Sequence, residues 1–220
     1  MIICMYNEQD KEIFPFASRL KDEGRGIPFI LLIHYSKAVR QRVLESPHPG
    51  VDFVFSWHGN ADLILAIVKL LEDAANAEND VFEVGVKGIL LVEDSIRYYS
   101  NYLPELYKIV LTQSREFLTE SLNDDQKKYR KRSRPKIFLA TCLEEAIAYF
   151  EKYRRNLLGV ISDVGMVFHK GDDPKTEKLD AGIDLVRIIR EYDPLMPVLL
   201  QSSQGSLAKT AAELGVGFLK

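Results

Sequence analysis

Short aliphatic runs alternate along this chain with segments of helical period, and this alternation limits the folds that the chain can adopt. Most of the runs are nearly continuous in apolar residues, which is typical of strands whose sheet is covered by helices on both faces. Eight runs are predicted as strands: Ile2–Met5, Phe29–Ile33, Asp52–Phe55, Gly88–Val92, Lys136–Ala140, Leu158–Ser162, Val198–Gln201 and Val216–Leu219.

The segments between these runs place most of their apolar residues on one helical stripe. The clearest are 62–71, 143–150 and 183–189. Repeated strand–helix–strand units require right-handed crossovers and therefore parallel strand pairing. The sequence thus predicts an α/β fold with a doubly wound parallel sheet.

Composition excludes several other classes of protein. An apolar fraction of 46% is too high for a mainly disordered chain. The longest clearly apolar stretch, 27–33, is far shorter than the roughly 20 residues that span a bilayer, and the N-terminus lacks the cationic start of a secretory signal. Cys4 and Cys142 make no disulfide framework, so we expect a cytoplasmic protein. A net charge of −3 argues against a dedicated nucleic-acid binder.

A polar break at 73–87 separates two segments that follow one pattern. In each, a proline (Pro28 or Pro197) opens a buried strand, which precedes a helix and an aromatic-bearing strand. We therefore predict a partial unit at 1–74, a linker at 75–86 and a larger domain at 87–220. Two polar insertions, at about 114–134 and 168–181, are expected to interrupt the larger domain, the first after a long helix that passes Pro104.

Acidic and hydroxyl residues follow three predicted strands of the larger domain. Glu93 and Asp94 follow the strand at 88–92, Asp163 follows 158–162, and Ser202 follows 198–201. In a parallel sheet these ends lie side by side, and three converging carboxylates repel one another unless a hard cation such as Mg²⁺ neutralises them. A carboxylate beside such a cation, with a hydroxyl opposite, suits phosphoryl transfer.

The sequences GILLVEDS, VISDVGM and GIDLVRIIREYDPLMPVLLQSS resemble a response-regulator receiver domain of two-component signalling. The similarity extends over 86–220 and covers the first five strands and four helices of that flavodoxin-like fold. It implies that Asp163 is the phosphoacceptor. It also implies that Glu93, Asp94, Asp163 and the backbone carbonyl of Gly165 hold Mg²⁺.

The same resemblance implies roles for residues near the end of the chain. Ser202 matches the hydroxyl residue that contacts the phosphoryl group, and Phe218 matches the aromatic switch position. The family's active-site lysine comes about three residues after that aromatic, whereas Lys220 comes two after it. Either the spacing is one residue shorter here, or the lysine is the next residue. The insertion after Asp163 replaces a short Met-Pro loop of the family.

The N-terminal segment resembles the later part of a second, degenerate receiver that lacks its first strands. Met5 falls at the acceptor position, Ile33 at the hydroxyl position and Ser56 at the lysine position, so all three chemical groups are lost. We expect this unit to be chemically silent and the chain to be a fragment of a longer protein.

The implied function is non-enzymatic signalling. A histidine kinase or a small phosphodonor would phosphorylate Asp163 with Mg²⁺, and the change at Ser202 and Phe218 would switch a face that binds a partner, a second copy of the chain or an attached output domain. Nucleic acid is not expected as a partner, because the basic run at 127–136 is interpreted as a solvated loop. A membrane is not expected either, because the apolar stretches are too short to span one.

Two alternatives use the same residues. The first is a receiver-like interaction module that is not phosphorylated, as in a regulatory region of a larger enzyme that continues into a phosphoenolpyruvate/pyruvate-binding domain. The second is an Asp-nucleophile phosphatase, which needs a second Asp two residues after the nucleophile. That position is Gly165 here, which disfavours the phosphatase.

Overall fold

A computed structural model of the chain describes residues 1–7, 9, 12–24, 26–34, 50–119 and 134–220. Among these residues, eight strands form two sheets in which every pairing is parallel, so the predicted α/β fold with parallel strands is confirmed. The chain divides into two compact units: an N-terminal unit (residues 1–63 and 96–102) and a C-terminal unit (64–95 and 103–220).

The N-terminal unit has a sheet of three strands in the order β1-β2-β3. Its elements are β1 (Ile2–Met5), α1 (Ile13–Asp22), β2 (Phe29–Ile33) and β3 (Phe53–Ser56). All residues of β2 are buried, as expected for a central strand covered on both faces. The ring of Phe55 packs edge-on against Tyr99, with centroids 5.4 Å apart. The helix predicted after β2 falls on 35–49, outside the described residues.

The C-terminal unit has a sheet of five strands in the order β5-β4-β6-β7-β8. It includes most of α2 (Asp62–Glu78), from residue 64, and most of α3 (Ile96–Thr119), from residue 103. Its other elements are β4 (Gly88–Val92), β5 (Lys136–Ala140), α4 (Leu143–Tyr153), β6 (Leu157–Asp163), α5 (Ala181–Tyr192), β7 (Val198–Gln201), α6 (Ala208–Glu213) and β8 (Gly217–Leu219).

One apolar core fills the C-terminal unit. Alternate strand residues such as Leu90, Val160 and Leu200 are buried there with the apolar stripes of α4 and α5, represented by Phe150 and Ile189. Burying each side chain of this size stabilises the fold by about 1.5–3 kcal/mol. The predicted helical stripes are therefore the surfaces that fix α4 and α5 against the sheet.

The structure divides the chain differently from the predicted linker at 75–86. Helix α2 continues to Glu78 and is followed by a π-helical turn, Asn79–Glu83. Ala77 and Val81 are buried in the core of the C-terminal unit, which explains why this polar-looking segment remains helical.

The first insertion begins as helix, since α3 contains Pro104 and extends to Thr119. The remainder of that insertion, 120–133, and with it most of the basic run at 127–136, lies outside the described residues. None of the described helices combines the length and the apolar character that crossing a membrane requires.

Candidate functional site

The register of the five-stranded sheet places the predicted acidic residues at one edge. Val92, the last residue of β4, pairs with Ser162 of β6, so that Glu93 and Asp163 follow at the same level of neighbouring strands. Carboxylate oxygens of Glu93, Asp94 and Asp163 lie within 4.8 Å of one another. The structure therefore brings together the three acidic side chains that the sequence singles out.

Burial and nearby negative charge raise the pKa values of two of these carboxyl groups. Glu93 is only 2% exposed, and desolvation, together with the charges of Asp163 and Asp94, raises its pKa to about 8. Desolvation also raises the pKa of Asp163, although hydrogen bonds from the backbone N–H groups of Val164 and Gly165 oppose the rise. The Val164 bond, 2.7 Å from N to Oδ1, fixes the orientation of the Asp163 carboxylate.

This group of side chains fits a hard divalent cation. Its donors are carboxylate oxygens, which Mg²⁺ and Ca²⁺ prefer. A bound cation would also offset the charges of Asp163 and Asp94, which add to desolvation in raising the pKa of Glu93. The Glu93 carboxylate is held in place by the backbone N–H of Ser95, which donates to Oε1 at 3.1 Å. The contribution of the Gly165 carbonyl stays a prediction.

A fourth carboxylate, Glu177, reaches the site from the second insertion, and the sequence reasoning missed it. A β-carbon added at Gly165 would lie 2.1 Å from Oε1 of Glu177, so the carboxylate rests against the bare Cα of that glycine. Its charge adds to the causes that raise the pKa of Glu93 and of Asp163. The sequence contained one indication of this contact, which is Gly165 itself. A glycine has no side chain, so another group can approach closely beside the predicted acceptor.

Ser202 lies at the end of the strand next to Asp163. Gln201 pairs with Asp163, and Ser202 follows it, with its N–H donating to Leu219 O at 3.1 Å. The Ser202 hydroxyl accepts a hydrogen bond from the N–H of Gln204 at 3.1 Å. The amide nitrogen of Gln201 is buried and has no acceptor among the described residues.

Phe218 and Lys220 stand on and after β8. Phe218 is half-buried and packs against the core of the unit. Lys220 is exposed, and its ammonium would lie 3.7 Å from a β-carbon added at Gly205. The role of Lys220 as the active-site lysine stays a prediction.

A groove of the C-terminal unit is separate from the carboxylates. It has a volume of about 520 Å³, and its lining includes Leu158, Pro197 and Gly215. Leu158 and Pro197 lie at or just before the starts of β6 and β7, whereas the carboxylates follow strand ends. The candidate site is therefore a set of polar groups at one edge of the sheet rather than an apolar cavity.

Comparisons with known proteins add little to this geometry. No family model matches the sequence, and no curated protein matches it. Among solved structures, the chain is similar to the crystal structure of GanP, a glucose-galactose binding protein from Geobacillus stearothermophilus, with 12% identity and a TM-score of 0.31. That match covers 98% of this chain and 61% of the binding protein, so the chain spans less than two thirds of its length.

The raised pKa of Glu93 predicts a pH-dependent gain in stability for the variant Glu93→Gln in the absence of divalent cations. The folded protein holds the proton of Glu93 up to about pH 8, whereas the unfolded chain releases it near 4.5. The contribution of Glu93 to stability is thus complete below pH 4.5 and is lost as the pH rises towards 8. At pH 8 the variant should be more stable than the native protein by on the order of 2–4 kcal/mol.

Urea unfolding with a chelator, at several pH values between 4 and 9, measures this difference. Native and variant should converge at the acidic end, and adding Mg²⁺ at pH 8 should stabilise the native protein more than the variant. A difference that does not change with pH would contradict the assignment.

Proposed function

We infer that the C-terminal unit is a receiver domain that accepts a phosphoryl group on Asp163 in a Mg²⁺-dependent reaction. The observation that carries this inference is the meeting of Glu93, Asp94 and Asp163 at the ends of β4 and β6. Such a domain would act as a signalling switch rather than as an enzyme.

The strand order supports a doubly wound, flavodoxin-like fold for this unit. If β4 to β8 are numbered 1 to 5, the observed order is 2-1-3-4-5. In sheets of this order ligands bind beyond the carboxyl ends of strands 1 and 3, where the direction of winding reverses. In this chain those strands are β4 and β6, which end at the acidic residues.

Asp163 is the nucleophile in this proposal. A carboxylate oxygen of Asp163 would attack the phosphorus of a phosphohistidine or of a small acyl phosphate. A P–O bond forms to Asp163 as the bond from phosphorus to the leaving nitrogen or oxygen breaks. The leaving group keeps the electron pair of that bond. The N–H of Val164 holds the carboxylate in place, and the Ser202 hydroxyl on the neighbouring strand end would contact the phosphoryl oxygens.

Glu93, Asp94 and Asp163, with the carbonyl of Gly165, would hold the cation. Bound there, Mg²⁺ would neutralise the carboxylates and the charge of the transferred group. Phosphorylation would draw Ser202 inward and rearrange Phe218, changing a face near α6 and β8 that binds a kinase, a second copy or an output domain.

The N-terminal unit fits a silent receiver. Met5 is at the end of β1 and 41% exposed, and Ile33 and Ser56 pair at the ends of β2 and β3. The Ser56 hydroxyl is hydrogen-bonded to His58 at 2.9 Å. None of these three side chains can accept a phosphoryl group on a carboxylate.

Beryllofluoride, an analogue of the phosphoryl group, tests the proposal on the native protein. Calorimetric titration should show saturable uptake at one site with Mg²⁺ present and none with a chelator. Incubation with acetyl phosphate and Mg²⁺ should add the mass of one phosphoryl group to the intact protein. Absence of both Mg²⁺-dependent changes would overturn the proposal.

A receiver-like interaction module that is not phosphorylated is the second candidate. Two observations favour it: Lys220 follows Phe218 by two residues rather than the family's three, and Glu177 adds negative charge beside Asp163. Mg²⁺ binding without uptake of beryllofluoride would select this candidate. Steady release of phosphate from an aryl phosphate would instead indicate a phosphatase.

A further inference from the structure

We propose that Glu177, carried by the insertion at 168–181, is a selectivity residue that opposes the entry of anions at Asp163 and favours the binding of cations there. This inference rests on the proposed function of the Asp163 site. It assigns to the insertion a role in setting how readily that site accepts a phosphoryl group.

The insertion is fixed at both of its ends to the segment that follows Asp163. Met166 and Lys178 form an antiparallel bridge. The N–H of each donates to the carbonyl oxygen of the other, with nitrogen-to-oxygen distances of 3.2 and 3.0 Å. Beyond the insertion, the N–H of Gly182 donates to Val164 O at 2.8 Å. Glu177, the residue before Lys178, is therefore held close to Gly165 by backbone bonds.

The insertion is also fixed to the first turn of α4. The N–H groups of Leu143 and Glu144 donate to the carbonyls of Val167 and Phe168 at 3.1 and 3.0 Å. Backbone N–H groups at a helix start have no partner within the helix, so these bonds satisfy donors that would otherwise need water. The insertion is thus an ordered part of the site's surroundings.

The Glu177 carboxylate lies against Gly165, two residues after Asp163, and its charge acts on both Asp163 and Glu93. A β-carbon at position 165 would come 2.1 Å from Oε1 of Glu177, so a larger residue there would displace this carboxylate from its place. Glu177 stands outside the set of three carboxylates that lie within 4.8 Å of one another, so it acts on the site through its charge rather than as one of that set.

A charge in this position has opposite effects on the two ligands of the site. A phosphoryl donor and beryllofluoride are anions and are repelled by Glu177, whereas a divalent cation is attracted by it. Removing the charge should weaken cation binding and strengthen anion binding. Loss of local structure would weaken both, so the opposite signs distinguish an electrostatic role from a structural one.

The test compares Glu177→Gln with the native protein and with Glu191→Gln as a matched control. Glu191 is exposed and follows Ala181, the first residue of α5, by ten residues, or about 15 Å of helix.

Two probes are used: Mg²⁺ alone, and beryllofluoride at saturating Mg²⁺. In Glu177→Gln the affinity for Mg²⁺ should fall about three- to tenfold, and that for beryllofluoride should rise by a similar factor. Both effects should shrink between about 0.1 M and 1 M salt, because the Debye length falls from about 10 Å to about 3 Å.

Failure of this inference and failure of the proposed function give different results. If Glu177→Gln matches Glu191→Gln with both probes, or if both affinities change in the same direction, the role of Glu177 is overturned. If the native protein binds no beryllofluoride but Glu177→Gln does, the inference is supported in its strongest form. If neither protein binds it, the phosphoacceptor function fails, and the Mg²⁺ titration alone decides the role of Glu177.

Discussion

Replacing Asp163 by asparagine should abolish Mg²⁺-dependent phosphoryl uptake, with a loss of at least about 100-fold, because an amide oxygen is a far weaker nucleophile than a carboxylate. Asparagine keeps the shape of the side chain and can still accept the hydrogen bond that the Val164 N–H donates at 2.7 Å. The loss should therefore come from chemistry and not from unfolding. Intact-mass measurement after incubation with acetyl phosphate gives the uptake directly.

Asp172→Asn is the matched control for this substitution. Asp172 lies on the insertion that follows Asp163, and its carboxylate accepts a hydrogen bond from the backbone N–H of His169 at 2.9 Å, which an asparagine side chain can also accept. This variant should retain uptake. If Asp163→Asn is phosphorylated as well as the control is, the acceptor is a different residue and the assignment of the site is wrong.

The stability of Asp163→Asn provides a second test of the site. Without divalent cations, Asp163→Asn should be more stable than the native protein, because it removes one of three carboxylates whose oxygens lie within 4.8 Å of one another. A variant that is both inactive and more stable distinguishes a site built for a ligand from a structural cluster, in which each group normally stabilises the fold.

The strands could be predicted from the sequence because each is a short, continuous apolar run. Five strands, β1, β2, β4, β5 and β7, have the predicted bounds, and β3, β6 and β8 differ from prediction by one residue at one or both ends. A strand buried on both faces needs no information from distant parts of the chain to be recognised. The acidic residues at the ends of β4 and β6 were predicted for the same reason, since parallel strands end at a common edge.

Contacts across long separations in sequence could not be predicted in this way. Glu177 lies in an aperiodic insertion, and only the bridge between Met166 and Lys178 places it beside Gly165. Similarly, Arg134 and Lys136 looked like the end of a solvated basic run, yet both are buried and bind Asp73, more than 60 residues earlier. A pattern of apolar positions contains no information about which charges will pair.

Replacing Asp73 by alanine should destabilise the C-terminal unit by about 3–5 kcal/mol, since it leaves the buried guanidinium of Arg134 without its counter-ion, whereas Lys136 keeps an ion pair with Asp80 at 2.5 Å. Asp73 is fully buried and accepts hydrogen bonds from Tyr107 at 2.9 Å, from the backbone N–H of Ile137 at 3.0 Å and from Arg134 at 3.1 Å. Lys136 lies 3.4 Å from the same carboxylate. Burial acts to lower the pKa of Arg134, but the hydrogen bond and charge of Asp73 outweigh it and raise that pKa.

Urea unfolding measures the loss, with Glu72→Gln as the control on the same helix. The Glu72 carboxylate pairs with Lys69 at the surface and is 44% exposed, so its loss should change stability by less than about 1 kcal/mol. A third variant, Asp73→Leu combined with Arg134→Met, removes the buried charge and one partner together and should recover part of the loss. If Asp73→Ala is no worse than Glu72→Gln, the network does not join α2 to the start of β5. If the double variant is less stable than Asp73→Ala, the loss comes from packing rather than from an unpaired charge.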